Sequence, residues 1–173
     1  MSIWSNMEYS KYETTKSELD KINQAAIEEV NSYIGEIENP ILFMLQVHLY
    51  SESLLERYII AELPKGKKLI ENGRLSYYQK VQVVGAFGVV DDGVLSSLTE
   101  FNKVRNNLAH NLNHEFTHKQ LRKFSLPLGG VSSEFTDRAN GCLIKELKLT
   151  LNHLVYRLAG FTVISEKLTR KYS

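Results

Sequence analysis

Cysteine is nearly absent from this sequence. One residue, Cys142, occurs in 173, so no internal disulfide can form and the fold must be held by packing alone. In the run "RANGCLIKELKL" Cys142 reads as a small buried helix residue, because a catalytic thiol needs a base beside it and no neighbour supplies one. Long apolar runs are also missing. The most apolar stretch, "PILFMLQVHLY", falls well short of the roughly 20 residues needed to cross a bilayer. The start, "MSIWSNMEYSKYE", lacks a basic start followed by the apolar run of a secretory signal. A cytoplasmic protein with no membrane role is therefore expected. Excess charge is absent as well: the formal net charge is +1 and the isoelectric point about 7.8. A near-neutral chain is a poor general binder of nucleic acid, since affinity for phosphates grows with the number of cations engaged. Any such contact must use a local basic patch.

Proline is scarce too, and its three positions are informative. Pro40, Pro64 and Pro127 each coincide with a break in a helical pattern. Between residues 8 and 38, Leu19, Ile22, Ala26, Val30, Tyr33 and Ile37 recur at intervals of three and four, which predicts a long amphipathic helix. Asn39 and Pro40 offer a cap and a first helical residue for the apolar segment that follows, the expected central helix, ending at "PKGKK". Ser76 caps a third helix in "LSYYQKVQVVGAFGVV", and "DD" at 91–92 caps a fourth over 93–110 or slightly beyond. "THKQLRKF" fits one or two further turns, and "SLPLGGVSS" reads as the clearest loop. A final helix is expected over about 132–165. With 43% hydrophobic and 24% charged residues, the pattern predicts one domain over 1–173: an all-α, up-and-down bundle of about five helices.

The chemistry gathers in "FNKVRNNLAHNLNHEFTH", residues 101–118. Winding the fourth helix places Val94, Leu98, Phe101, Leu108 and Leu112 on one stripe, with Arg105 in its middle. An unpaired guanidinium in a core costs several kcal/mol (about 3–5), so either Glu52 or Glu56 pairs with it or the stripe opens onto a wet groove. His110 stands about 140° around the helix from Arg105. The two share a face only if the helix ends or distorts between them, or if a second subunit completes their groove. His110, His114 and His118 recur every four residues. No cysteine accompanies them and the helix is expected to end near His114. They are better read as cations at a helix C-terminus than as a metal site. No metal and no cofactor are expected.

"RNNLAH", with Arg105, Asn106 and His110, resembles the R-x4–6-H motif of the HEPN superfamily of helical domains. The resemblance extends over roughly residues 40–115 and includes "GAFGVV" in the preceding helix. It implies a metal-independent RNA endonuclease that works as a homodimer, with two motifs facing one cleft. In that setting His110 takes the proton from an RNA 2′-hydroxyl, Arg105 holds the scissile phosphate, and Asn106 orients phosphate or imidazole. The products would be a 2′,3′-cyclic phosphate and a 5′-hydroxyl. Such proteins act as toxins or phage-defence effectors, held in check by an inhibitory antitoxin or regulatory protein. The same pattern is similar to the mannitol repressor family, which implies a non-catalytic regulator, adaptor or dimerisation module. Candidate RNA guides are Lys65, Lys67 and Lys68, Arg122 and Lys123, and Lys167, Arg170 and Lys171 in the tail; each cluster also reads as a solvated surface. Tyr77 and Tyr78 could stack bases, or pack and cap the third helix.

Overall fold

The structure, a computed structural model, describes residues 16–35, 37–110 and 115–172, and the side chains of these except His110 and residues 168–172. Eight α-helices and one 3-10 turn make up the described chain, with no strand among the described residues: α1 Lys16–Tyr33, α2 Pro40–Glu62, α3 Gly66–Gly73, α4 Tyr77–Gly85, α5 Asp92–His110, α6 His118–Ser125, a turn at Leu126–Leu128, α7 Gly130–Ala139 and α8 Leu143–Tyr172.

Local chemistry starts several of these helices where the sequence places their caps. The Asn39 side chain accepts from the backbone N–H groups of Ile41 and Leu42, and Pro40 needs no such partner. Ser76 and Gln79 form a reciprocal capping box at α4. Asp91 Oδ1 accepts from Val94 N at 3.1 Å at the head of α5. A second capping box, Thr117 with Gln120, makes α6 a defined helix rather than a stray turn.

Helix α2 is the centre of the molecule. Its residues Val47, Leu54, Leu55 and Ile59 are fully buried, and it packs most extensively on α8, then on α4, α3 and α5. Truncating Leu54, Leu55 or Ile59 to alanine costs about 2–5 kcal/mol in a core of this kind. The contacts fix direction. Lys148 lies over Phe43, Thr162 donates to the Leu54 carbonyl and Ser165 donates to Glu62, so α2 and α8 run parallel. His48 meets Tyr77 and Tyr58 meets Phe87, so α4 follows α2 in the same sense.

The bundle therefore stands, but with more helices than five and without strict alternation. The extra element is α3, a short helix between α2 and α4. It turns the chain back so that α4 can start again beside the middle of α2. Its first residue shows why it fits: a Cβ on Gly66 would lie 2.3 Å from the Ile59 carbonyl oxygen, so only glycine lets α3 begin against the end of α2. The expected final helix is also two helices, broken where Asn140 and Gly141 adopt left-handed φ of 49° and 78°. "SLPLGGVSS" is mostly helical, a 3-10 turn leading into α7 with Gly129 between. Cys142 is exposed at the head of α8 rather than buried. The first part of the expected long helix, residues 8–15, lies outside the described residues; of the rest, α1 covers Lys16–Tyr33 and stops five residues short of Glu38, so Ile37 is not part of the helix.

Candidate functional site

Helix α5 buries Val94, Ser97, Leu98, Phe101, Val104 and Leu108. The expected stripe holds at Val94, Leu98, Phe101 and Leu108. Between Phe101 and Leu108 the burial falls on Val104, drawn toward α6, whose Phe124 packs edge-on against Phe101 at 5.4 Å. Arg105 is consequently half-buried on the edge of the stripe instead of in its middle. Leu112, expected to extend the stripe, lies outside the described residues.

Glu52 and Glu56 do not neutralise Arg105. Both carboxylates bind Lys80 of α4, at 2.7 and 2.6 Å, and Lys80 is only 7% exposed. Burial pulls its amine down, but the two carboxylates outweigh that and hold it above its usual range. The lysine reaches the α2 carboxylates because α4 runs alongside α2, which the alternating bundle did not anticipate.

Arg105 meets amides instead. Its Nη1 donates to Asn106 Oδ1 at 2.9 Å. Asn106 Nδ2 lies 3.5 Å from Asn102 Oδ1, and that same oxygen is 3.0 Å from His48 Nε2 on α2. His48 is 5% exposed, its ring stacked on Tyr77 at 4.4 Å between centroids, and the Tyr77 hydroxyl is 2.9 Å from Ser51 Oγ. A polar seam thus crosses from α4 through α2 to the outer edge of α5. Among the described residues no carboxylate pairs with Arg105. Burial lowers the His48 pKa; Asn102 and Glu52 oppose that effect, while Arg105 and Lys80 add to it. The ring is neutral near pH 7.

Helix α5 is unbroken through His110. The helix therefore neither ends nor distorts between Arg105 and His110, positions that stand about 140° apart on an ideal helix; the His110 side chain itself lies outside the described set. No known family model, curated protein or solved structure matches the chain.

The other expected residues divide. Lys65, Lys67 and Lys68 are exposed around the start of α3, with Lys67 in a 3.9 Å surface pair with Glu71. Gly66 abuts Ile59, eleven residues beyond His48 on α2, about 16 Å along the axis. That cluster is remote from Arg105. Arg122 and Lys123 are exposed in the last turn of α6, next to Phe124 and so on the helix that covers α5. Lys167 is exposed on α8, and the Arg170 and Lys171 side chains are outside the described set. Tyr77 packs, whereas Tyr78 is half exposed. His114 lies outside the described residues, and among those described no group of three His, Cys, Asp or Glu could hold a metal. His48 and Asn102 escaped sequence reasoning. The available signals were a lone histidine in an apolar helix and an Asn four residues before Asn106, on the same face.

Proposed function

We propose that the protein is a metal-independent RNA endonuclease whose site is formed by Arg105, Asn106 and His110 of α5, used by two copies together. The observation that carries this reading is Arg105 itself: a half-buried guanidinium held by the Asn106 amide, with no carboxylate partner among the described residues. A structural arginine is normally neutralised. One left to amides is a ready donor for a phosphate, which a guanidinium grips by two parallel hydrogen bonds. The unbroken α5 favours the two-subunit version, since helix positions five residues apart stand about 140° around the axis. An exposed apolar strip on α2, Ile41, Leu42, Leu45 and Leu49, flanks His48 and offers a second copy a surface to cover.

In this reading the RNA 2′-oxygen attacks phosphorus, the bond to the 5′-oxygen breaks, and His110 accepts the 2′ proton. Arg105 stabilises the charge that builds on the phosphate oxygens. The leaving 5′-oxygen takes up a proton, leaving a 2′,3′-cyclic phosphate and a 5′-hydroxyl. An open groove of about 780 Å³ between α4 and α5 includes Tyr78, Gln82 and Thr99, but Asp92 and Glu100 also line it. Those carboxylates repel a phosphate backbone, so the strand is expected to approach from the α6 side, past Arg122 and Lys123. Such an activity needs restraint in a cell, which fits a toxin or defence effector with an inhibitory partner.

The test is incubation of purified protein with single-stranded RNA in excess EDTA. Cleavage to cyclic-phosphate ends, abolished by Arg105→Ala and His110→Ala with fold and dimer intact, is the expected result. No cleavage by the unaltered protein would remove the ribonuclease reading. One observation favours a second reading, a non-catalytic regulator or adaptor: the seam from Asn106 through Asn102 to His48 ties α5 to α2. In that case Arg105→Ala alters partner binding or stability and no RNA is cut.

A further inference from the structure

The hydrogen bonds of the polar seam have only one consistent direction. A guanidinium can only donate, so the Asn106 group facing Arg105 is its carbonyl oxygen, 2.9 Å from Nη1. The Asn106 amide nitrogen then points to Asn102 Oδ1. That oxygen also faces His48 Nε2, so Nε2 must carry the proton. The chain is ordered from a cation on the surface of α5 to a buried imidazole on α2, and each member fixes the next.

We propose that His48 is a positioning residue: through Asn102 and Asn106 it fixes the plane in which Arg105 presents its guanidinium. The ring is well placed to do so. It is stacked on Tyr77 and tilted against Phe101, with centroids at 4.4 and 6.2 Å, and its Nδ1 is buried without a partner. An imidazole that wanted only to satisfy itself would use both nitrogens. This one leaves Nδ1 unsatisfied and commits Nε2 to Asn102. Its lowered pKa keeps it neutral, so it does not add a second positive charge beside Arg105. The bearing of His48 on catalysis rests on the ribonuclease reading above; its tautomer does not.

Two measurements on the full-length protein test this. Long-range proton–nitrogen NMR of the imidazoles at pH 7 should show His48 protonated at Nε2. A His48 found protonated at Nδ1 overturns the proposal whether or not the protein cuts RNA. Steady-state cleavage of a defined single-stranded RNA in EDTA supplies the second readout. His48→Phe should lower kcat about 10- to 100-fold with KM changed less than about 3-fold. His48→Gln, which keeps a donor near Nε2, should restore most of the rate. Asn102→Leu should match His48→Phe from the α5 side, and the double variant should be no worse than either alone. Unchanged kcat in His48→Phe, or in Asn102→Leu if the first does not fold, overturns the positioning role. If the unaltered protein cleaves nothing, the ribonuclease reading falls, and the tautomer decides on the ordered chain by itself.

Discussion

Arg57 and Arg105 are the same residue type on two neighbouring helices, each half-buried, and they are treated in opposite ways. Arg57 sits on α2 between two carboxylates. It pairs with Glu29 of α1 and, through Nε and Nη2 at 2.8 Å each, with both oxygens of Glu166 on α8. Tyr50 donates to the same Glu29 at 3.1 Å. This fork ties three helices together, and four of its five N–H groups are committed to carboxylates. Glu166 above all, with Glu29 behind it, holds the Arg57 pKa above its usual value against the effect of burial. Arg105 has an amide where Arg57 has carboxylates. The difference separates a structural arginine from one with charge left to offer an anion.

That contrast can be broken by experiment. The largest expected effect is on activity: Arg105→Ala should lower RNA cleavage about 100- to 1,000-fold. Chemical denaturation should show its stability changed by less than about 1 kcal/mol, because only one hydrogen bond to a neighbouring amide is lost. A fall of several kcal/mol would make Arg105 a structural residue like Arg57. Arg57→Ala should do the reverse. It strands two part-buried carboxylates, at a cost on the order of 2 kcal/mol after allowing for their contact with solvent, and any loss of cleavage should vanish under conditions where the protein is fully folded.

Smaller effects sharpen the location of the site. Reversing Arg122 and Lys123 to Glu should weaken binding of an uncleavable 2′-O-methyl RNA and flatten its salt dependence. The same reversal at Lys67 and Lys68, on the remote α3, should change binding much less. Equal effects would mean that the strand runs along α2 instead. The smallest effect expected is on pH dependence. His153, against Phe135 at 5.4 Å, is lowered to about 4, first by burial and then by Arg157, with Asp91 opposing. The unfolded chain binds that proton near pH 6.5, the folded chain only near 4. Stability due to this group is therefore complete above pH 6.5 and is lost as pH falls toward 4. Melting temperatures across that range should decline less steeply in His153→Gln.

The parts of the fold legible in sequence are those set within a few residues. Asn39 before Pro40, Ser76 with Gln79, and Asp91 before Val94 each cap a helix through a side chain and an N–H two or three positions on. No distant partner is needed, so the sequence carries the whole interaction. Less legible were the features that depend on a neighbour. Nothing in "PKGKK" announces that α3 will turn the chain and bring Lys80 to Glu52 and Glu56. Nothing in "FNKVRNNLAH" tells whether Val104 or Arg105 is covered, because the answer lies in the approach of Phe124 from α6. The proposed site rests on residue types the sequence already displays, Arg105, Asn106 and His110, but the seam behind them was not legible, because His48 lies 54 positions from Asn102.

By itself, then, the sequence determined an all-helical chain and the starts of the helices capped by Asn39, Ser76 and Asp91. Those follow from periodicity and from hydrogen bonds closed within one turn. Tertiary structure alone decided which charges met. Two glutamates could have neutralised Arg105, and the parallel course of α2 and α4 gave them to Lys80. Electrostatic pairing depends on distances of a few ångströms between residues far apart in the chain. Only the packing of helices settles those distances, and here it left Arg105 among amides.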